Sequence, residues 1–156
     1  MILTDLPYGM TDCPFDKRLP FELLWEQFWR VTKPNAAIVL FSVGKFTIEL
    51  AASQLKYYRY EWIWQKNLAI GFLNAKKMPL RAHENILVFY RKLPTYNPQF
   101  TQGKPYKCSP QQKPVDLLSY LIKTYTNEGE TVLDATMGSG STGVACVNTG
   151  RKFIGF

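Results

Sequence analysis

The residues whose types are best suited to carry out chemistry are those at 4–9, Thr-Asp-Leu-Pro-Tyr-Gly, which follow a short apolar run at the start of the chain. We expect that run to be the end of a buried strand, and ligands of open α/β sheets bind at the carboxyl ends of strands. The Asp5 carboxylate and the Leu6 carbonyl can accept two hydrogens of an amino group, Pro7 fixes the chain direction, and the Tyr8 ring offers a face for stacking. The motif predicts a site for a flat ring with an exocyclic amino group, with an ordinary Asp-x-Pro-Tyr turn as the alternative.

A second group of residues lies near the other end of the chain, where 131–134 predicts a short strand that ends in the carboxylate of Asp134. The strand leads into a glycine-rich turn at 135–143 and then into a short apolar helix that stops at Gly150. Strand, glycine-rich turn and helix N-terminus in this order are typical of a nucleotide-cofactor site. The turn lacks the Lys-Ser/Thr pair of a P-loop and the Gly-x-Gly-x-x-Gly spacing, and a simple helix-capping turn is the alternative.

The two motifs, in this order, resemble those of the S-adenosylmethionine-dependent DNA amino-methyltransferases, which methylate the amino group of adenine or cytosine. More narrowly, the chain is similar to the permuted group, in which a catalytic Asp-Pro-Pro-Tyr element comes first and the cofactor loop last. Phage and prophage modification methylases look most alike, and the similarity includes the stretches 71–77, 83–89 and 112–115. It implies a three-layer, Rossmann-like α/β methyltransferase fold with a mostly parallel sheet and an antiparallel hairpin, permuted and incomplete at its ends.

The resemblance implies that Asp5, Leu6, Pro7 and Tyr8 form the catalytic element. Asp5 and the Leu6 carbonyl would accept both amino hydrogens, localise the lone pair on nitrogen and offset the positive charge that develops there. Tyr8 would stack on a base extruded from the duplex. Leu6 stands where the family usually has proline, but its carbonyl remains. Aspartate rather than serine at position 5 favours adenine N6 over cytosine N4.

S-adenosylmethionine is the cofactor that the resemblance implies. Asp134 would hold the methionine amino group, while Gly138 and Gly140 would let the backbone approach the cofactor. The start of the helix that follows position 113 would help to close the methionine pocket. The complete set of residues expected to bind the cofactor is Asp134, Ala135, Thr136, Met137, Gly138, Ser139, Gly140, Thr142, Lys113 and Pro114.

Positive charge is concentrated between positions 56 and 113. This stretch contains eleven Lys and Arg and only two acidic residues, a net charge of +9 in a chain whose total is +7. Aromatic residues are interleaved with these cations, which favours nucleic acid as the partner over a plain solvated surface. A long basic loop is predicted at 66–82. Its Lys76, Lys77 and Arg81 are candidates for contacts with DNA phosphates.

The other segments are predicted to be scaffold. Pro20 opens a helix with an apolar stripe, 36–41 is a continuous apolar run typical of a parallel strand covered on both faces, and 46–55 is a second helix. Alternating aromatic residues at 58–64 predict a strand whose aromatic side faces the core. This strand is expected to form an antiparallel hairpin with 86–90.

We expect a single domain at 1–156, with a catalytic half at 1–92, a connector at 93–110 and a cofactor-binding half at 111–156. Relatives usually insert a target-recognition region near the connector, and this chain has only the connector. Both ends look cut, because relatives have a strand and turn before the first motif and a ribose-binding acid just past the last strand. An exposed sheet edge would then favour self-association or a homodimer.

The resemblance thus implies a site-specific DNA methyltransferase that modifies adenine N6 more readily than cytosine N4. The alternatives are a non-catalytic truncated prophage remnant that retains DNA binding, and a methyltransferase of RNA or of protein amides, although the positive charge argues against protein. Cys13, Cys108 and Cys146 are far apart and give no metal or disulfide signal. Without a long apolar run or a signal segment, we expect a cytoplasmic protein that does not enter a membrane.

Overall fold

The computed structural model describes residues 1–11, 14, 16–99 and 114–156. Its regular elements in chain order are β1 (Ile2–Thr4), α1 (Phe21–Val31), β2 (Ile38–Ser42), α2 (Gly44–Ser53), β3 (Tyr58–Ile70), a 3₁₀ turn (Phe72–Asn74), β4 (Arg81–Phe89), α3 (Val115–Tyr125), β5 (Thr131–Asp134), α4 (Ser141–Asn148) and β6 (Lys152–Gly155). Each helix in these ranges falls short of the length and continuous apolar character that a bilayer crossing requires.

The strands form one sheet in the order β3-β4-β2-β1-β5-β6. β1 is parallel to β2 and to β5, and β5 is parallel to β6, whereas β4 runs antiparallel to both β2 and β3. This arrangement confirms the predicted α/β sheet, mostly parallel with an antiparallel hairpin at one side. Because β1 and β5 are neighbours and parallel, the two polar motifs that follow them leave the sheet at the same edge.

Helices cover both faces of the sheet, as the continuous apolar character of β2 predicts. All five residues of β2 are buried, and alternate side chains point to opposite faces. Ile38 and Leu40 pack in a core with α1 and α2, while Val39 and Phe41 pack in a second core with α3 and α4. The result is the predicted three-layer structure, with β1 held between two apolar layers.

The aromatic stripe of β3 faces the core, as predicted. Tyr60 and Trp62 pack at the margin of the core formed with α3 and α4, and Trp64 is part of it. The hydroxyl of Tyr125 on α3 accepts a hydrogen bond from Trp62 Nε1 at 2.7 Å and lies 3.0 Å from the Tyr60 hydroxyl. These rings therefore anchor the hairpin to the body of the domain.

The prediction of a loop from 66 to 82 is wrong at both ends, because the hairpin strands continue much further. Gln65 pairs with His83 and Ile70 with Arg81, which leaves only residues 71–80 between the strands. Polar composition suggested a loop here, but Lys66 forms an ion pair with Glu84 in which both side chains are about 8% exposed. A long two-stranded arm thus takes the place of the expected loop, and Arg81 belongs to β4.

Candidate active site

A hydrogen-bonded contact joins the two polar motifs where β1 and β5 end. Thr4 Oγ1 donates to Asp134 Oδ1 at 2.7 Å and lies 2.7 Å from Thr136 Oγ1. Thr136 Oγ1 in turn donates to the backbone carbonyl of Asp5 at 2.9 Å. Residues about 130 positions apart in the sequence are therefore held in one polar network at the carboxyl edge of the sheet.

The Asp134 carboxylate lies at the centre of this network and is only 4% exposed. Its Oδ1 accepts hydrogen bonds from Thr4 Oγ1 and from the backbone N–H of Thr136 at 3.1 Å, and its Oδ2 accepts one from Thr142 Oγ1 at 2.6 Å. Each carboxylate oxygen can accept about two hydrogen bonds. Oδ2 therefore keeps capacity for one further donor, as a bound ammonium group would require.

The glycine-rich turn between β5 and α4 uses a backbone conformation that other residues rarely adopt. Gly138 has φ +51° and Gly140, the N-cap of α4, has φ +77°. Gly140 N–H donates to the Met137 carbonyl at 2.9 Å, and Met137 N–H donates to the carbonyl of Phe156 at 3.0 Å. These bonds fix the turn, and a side chain at either glycine would be strained.

A small cavity of about 150 Å³ opens between the turn and the motif at 5–8. Pockets that enclose a whole drug-sized ligand measure about 300–1,000 Å³, so this one has room for a fragment the size of an amino acid. Its lining combines polar groups from both motifs with apolar side chains from β2 and α3: Asp5, Phe41, Leu118, Asp134, Thr136, Met137, Gly138, Ser139, Ser141 and Thr142. These residues suit a group with both an ammonium and an apolar part.

The motif at 5–8 is itself half-buried. The Tyr8 hydroxyl donates to Asp5 Oδ1, and the Tyr8 ring packs against Phe46 with centroids 5.1 Å apart. Burial, followed by the nearby Asp5 charge, raises the pKa of Tyr8 far above its usual value, so this phenol remains protonated. The Leu6 side chain is 3% exposed and belongs to the core formed with α1 and α2. An apolar anchor therefore positions the loop where proline was expected.

The loop after the catalytic motif is closed by Asp16. Its carboxylate accepts hydrogen bonds at 2.8 Å from the backbone N–H groups of Gly9, Met10 and Thr11, and from the Thr11 hydroxyl. Desolvation acts to raise the pKa of Asp16, but these hydrogen bonds outweigh it and lower the pKa to about 2.

Arg18 connects the same loop to the scaffold. Its Nε donates to the Tyr8 carbonyl at 2.8 Å, and its guanidinium forms an ion pair with Glu49 of α2. A side chain at Gly9, which has φ +65°, would meet the Arg18 side chain at 2.6 Å. The close approach of this arginine is possible only because position 9 is glycine.

Two of the structural contributions at this site were not predicted from the sequence. Thr4 is 1% exposed and joins the motifs, yet no role was predicted for it beyond standing first in the motif at 4–9. A polar side chain at the end of a buried strand was the available signal. Arg18 and its partner Glu49 had no signal, since neither stands in a recognisable motif.

The remaining predicted site residues are placed as follows. Pro114 is the N-cap of α3, and its carbonyl accepts from Leu118 N–H at 3.1 Å in the helix that lines the cavity. Lys113 lies outside the described residues. Lys76 and Lys77 are exposed between β3 and β4. The roles assigned to these residues stay predictions.

Comparisons with known proteins agree on one family. A family model for DNA methylases matches residues 91–156. The type II methyltransferase M.HpaI of Haemophilus parainfluenzae is 30% identical over 99% of this chain and 62% of its own length. The DNA adenine methyltransferase YhdJ of Escherichia coli strain K12 is 37% identical over 46% of this chain and 29% of its own.

A solved structure gives the same answer over the whole chain. The crystal structure of the M1.HpyAVI–SAM complex matches with a TM-score of 0.76 and 27% identity, covering 99% of this chain and 80% of that one. This chain spans about three fifths of the length of M.HpaI, and their alignment of 199 positions includes residues of M.HpaI that have no counterpart among these 156. With two polar motifs joined at one sheet edge, this fold and these relatives, the chain is similar along its length to the N6/N4 amino-methyltransferases of DNA.

Proposed function

We propose that this chain transfers a methyl group from S-adenosylmethionine to the exocyclic amino group of a base in DNA, at adenine N6 in preference to cytosine N4. The observation that carries the proposal is the contact of the two motifs through Thr4 and Thr136. It places the Asp5 carboxylate and the Asp134 carboxylate in the lining of one cavity. An acceptor for an amine and an acceptor for an ammonium group thus lie side by side.

Asp5 and the Leu6 carbonyl are proposed to act on the base. An aryl amine is a poor nucleophile because its lone pair is delocalised into the ring. Two acceptors for its hydrogens localise that lone pair, and the negative charge of Asp5 stabilises the positive charge that develops on nitrogen. The hydrogen bond from Tyr8 to Asp5 holds the carboxylate in place, and the Tyr8 ring offers the stacking face.

The residues around Asp134 fit the amino-acid end of S-adenosylmethionine, which supplies an electrophilic methyl group when bound. The spare acceptor capacity of Asp134 Oδ2 suits the methionine ammonium. The left-handed backbone at Gly138 and Gly140 requires glycine, so no side chain enters this space, and a Cβ at Gly140 would meet no atom within 4 Å.

A DNA substrate is supported by the charge of the hairpin and by the relatives. Lys76, Lys77 and Arg81 are candidates to neutralise phosphates, and the base must leave the duplex to reach Asp5. Aspartate at position 5 and the similarity to a DNA adenine methyltransferase favour adenine. With DNA as the substrate, the proposed reaction takes place in the cytoplasm.

The first test is calorimetric titration of the purified chain with S-adenosylmethionine. We expect binding in the wild type and at least ~100-fold weaker binding in Asp134→Asn, because a charge-assisted hydrogen bond is lost at a buried site. Glu26→Gln, which removes an exposed carboxylate on α1, is the matched control and is expected to bind normally. A well-folded wild-type chain that binds no cofactor would contradict the proposal.

The second test follows tritium from labelled S-adenosylmethionine into unmethylated genomic DNA, with digestion to nucleosides to identify the product. The expected product is N6-methyladenine. N4-methylcytosine would correct the base and retain the reaction. Cofactor binding without any transfer to DNA would favour a non-catalytic DNA-binding protein.

A further inference from the structure

The hairpin of β3 and β4 extends beyond the edge of the sheet that carries the candidate active site. Ser42, at the carboxyl end of β2, pairs with Asn85, so residues 81–84 of β4 continue past the end of β2. At about 3.4 Å per residue, the arm reaches about 14 Å beyond the sheet before the chain turns. β4 is two strands from β1, about 10 Å to the side of the strand that leads to Asp5. The hairpin tip, residues 71–80, therefore stands beside and above the opening where a base would enter.

The hairpin tip has a defined shape although every one of its residues is exposed. Gly71, with φ +94°, caps a 3₁₀ turn over Phe72–Asn74. The Asn74 carbonyl accepts from the backbone N–H groups of Lys77 and Met78 at 2.8 and 3.0 Å. The arm below is braced by the Lys66–Glu84 ion pair and by Lys66 over the Trp64 ring at 5.0 Å. A tip built this way presents its side chains in fixed positions.

Those side chains are apolar at the end and basic along the flank. The most exposed are Phe72, 75% exposed, and Leu73, 84% exposed, with Leu68, Met78 and Leu80 nearby. Contiguous apolar side chains in water mark an interaction surface. The stretch 71–83 contains three cations and no acidic residue. An isologous contact between two such tips would bring six cations together, so the charge disfavours a second copy and favours a polyanion.

We propose that the hairpin tip is an apolar wedge that enters the base stack of duplex DNA next to the extruded base, with Phe72 and Leu73 inserting and the flanking cations holding the phosphates. The proposal rests on the proposed function, since a wedge is useful where a base must leave the duplex. Proteins that deform DNA insert Phe, Leu, Ile or Met between base steps. Here the inserted side chains would fill the gap left by the base and slow its return.

The test measures affinity for two labelled duplexes of the same mixed sequence, one fully paired and one with a single abasic position that leaves a gap in the stack. We expect the wild-type chain to bind the gapped duplex about tenfold more tightly, the scale of one base–aromatic stacking contact. The double variant Phe72→Ser with Leu73→Ser is expected to lose this preference. Its thermal unfolding midpoint should be unchanged, because both side chains are exposed.

Two control variants separate the wedge from general charge and from general hydrophobicity. Lys76→Gln with Lys77→Gln is expected to weaken binding to both duplexes alike, lower the salt dependence by about two phosphate contacts, and keep the preference for the gap. Val147→Ser removes an equally exposed apolar side chain from the end of α4, which is remote from the carboxyl edge. Val147→Ser is expected to leave the affinity for both duplexes unchanged.

Three results would overturn the wedge. In the first, the wild type binds both duplexes equally. In the second, the double variant keeps the preference for the gapped duplex. In the third, sedimentation shows that the double variant converts a dimer to a monomer while its affinity for DNA is unchanged. A chain that methylates DNA but shows no preference for the gap overturns the wedge and leaves the proposed function standing. A chain that prefers the gap but transfers no methyl group supports the wedge and contradicts the proposed function.

Discussion

The two carboxylates at the candidate active site differ sharply in their surroundings although they follow neighbouring parallel strands. Asp134 is buried and accepts three hydrogen bonds, from Thr4, Thr136 and Thr142. Asp5 is half-buried at the opening and receives the hydroxyl of Tyr8, its neighbour on the same loop. One carboxylate is fixed in the core by donors from three segments, whereas the other lies at the opening with a donor from its own loop.

This difference suggests a division of labour between the two motifs. A carboxylate that is already fixed in the core is suited to hold a ligand in one position, since no reorganisation accompanies binding. A carboxylate at the opening is suited to a substrate that arrives from outside. If this is correct, substitutions at Asp5 should affect methyl transfer alone, and substitutions in the buried network should affect cofactor binding and stability together.

The largest difference between the effect on methyl transfer and the effect on cofactor binding is expected from Asp5→Asn. This substitution keeps the shape of the side chain and removes its charge. One of the two acceptors for the amino hydrogens becomes an amide, and the stabilisation of the positive charge on nitrogen is lost. We expect the rate of methyl transfer to fall by about 10³-fold or more, while the Kd for S-adenosylmethionine changes by less than about twofold. Single-turnover transfer and calorimetry measure the two quantities.

Glu26→Gln is again the matched control for the loss of a carboxylate. A comparable fall in cofactor affinity in Asp5→Asn would show that the two carboxylates do not act separately. Full activity in that variant would remove Asp5 from the reaction altogether.

An intermediate effect is expected from Thr4→Val, because Thr4 connects the two motifs. Valine has the same shape but cannot donate to Asp134 Oδ1, so a buried acceptor loses a partner. We expect the free energy of unfolding to fall by about 1–3 kcal/mol and the affinity for S-adenosylmethionine to fall with it. Urea denaturation and calorimetry on the same preparation test both.

Thr124→Val provides a control with the same change in chemistry. Thr124 is 1% exposed, and its hydroxyl donates to the Tyr120 carbonyl within α3. It should lose stability without losing cofactor affinity. Equal cofactor binding by both variants would mean that Thr4 serves stability alone.

The contrast between the motifs also explains what the sequence could predict. The strand, glycine-rich turn and helix around Asp134 are contiguous, so hydrophobic pattern and turn chemistry were sufficient. The order of the elements gave the parallel sheet and the hairpin. The bond from Thr4 to Asp134 crosses 130 positions, and no local pattern records it. The sequence holds one sign of this bond, which is the polar Thr4 directly after an apolar run.

The hairpin was predicted in kind and misjudged in length for a related reason. Lys66 and Arg81 suggested a solvent-exposed loop, because isolated cations are rarely buried. A charged side chain becomes compatible with a strand once a partner of opposite charge lies across from it, and Glu84 provides that partner for Lys66. The pairing depends on the register between strands, which local composition does not contain.

The smallest effect is expected from Asp16→Asn, which tests whether the loop that carries Tyr8 depends on charge. The pKa of Asp16 is about 2, below its ordinary value of 3.8, because the folded loop donates hydrogen bonds to the ionised form. A lowered pKa means that the stabilisation is fully present above pH 3.8 and is lost as the pH falls towards 2. Because the loop is solvent-accessible, we expect the variant to lose no more than about 1 kcal/mol of unfolding free energy at pH 7.

The difference in unfolding free energy between Asp16→Asn and the wild type should then narrow as the pH falls from 5 to 3, because the unfolded wild type gains a proton at position 16 in this range and the variant cannot. Urea denaturation at pH 7, 5, 4 and 3 measures this difference, with Glu26→Gln as the control that removes an exposed carboxylate of α1 outside this loop. A difference that stays constant over this range would show that the loop is held by the shape of the side chain and not by its charge. In that case the catalytic motif, unlike the buried network around Asp134, would owe its position mainly to the Leu6 anchor and to Arg18.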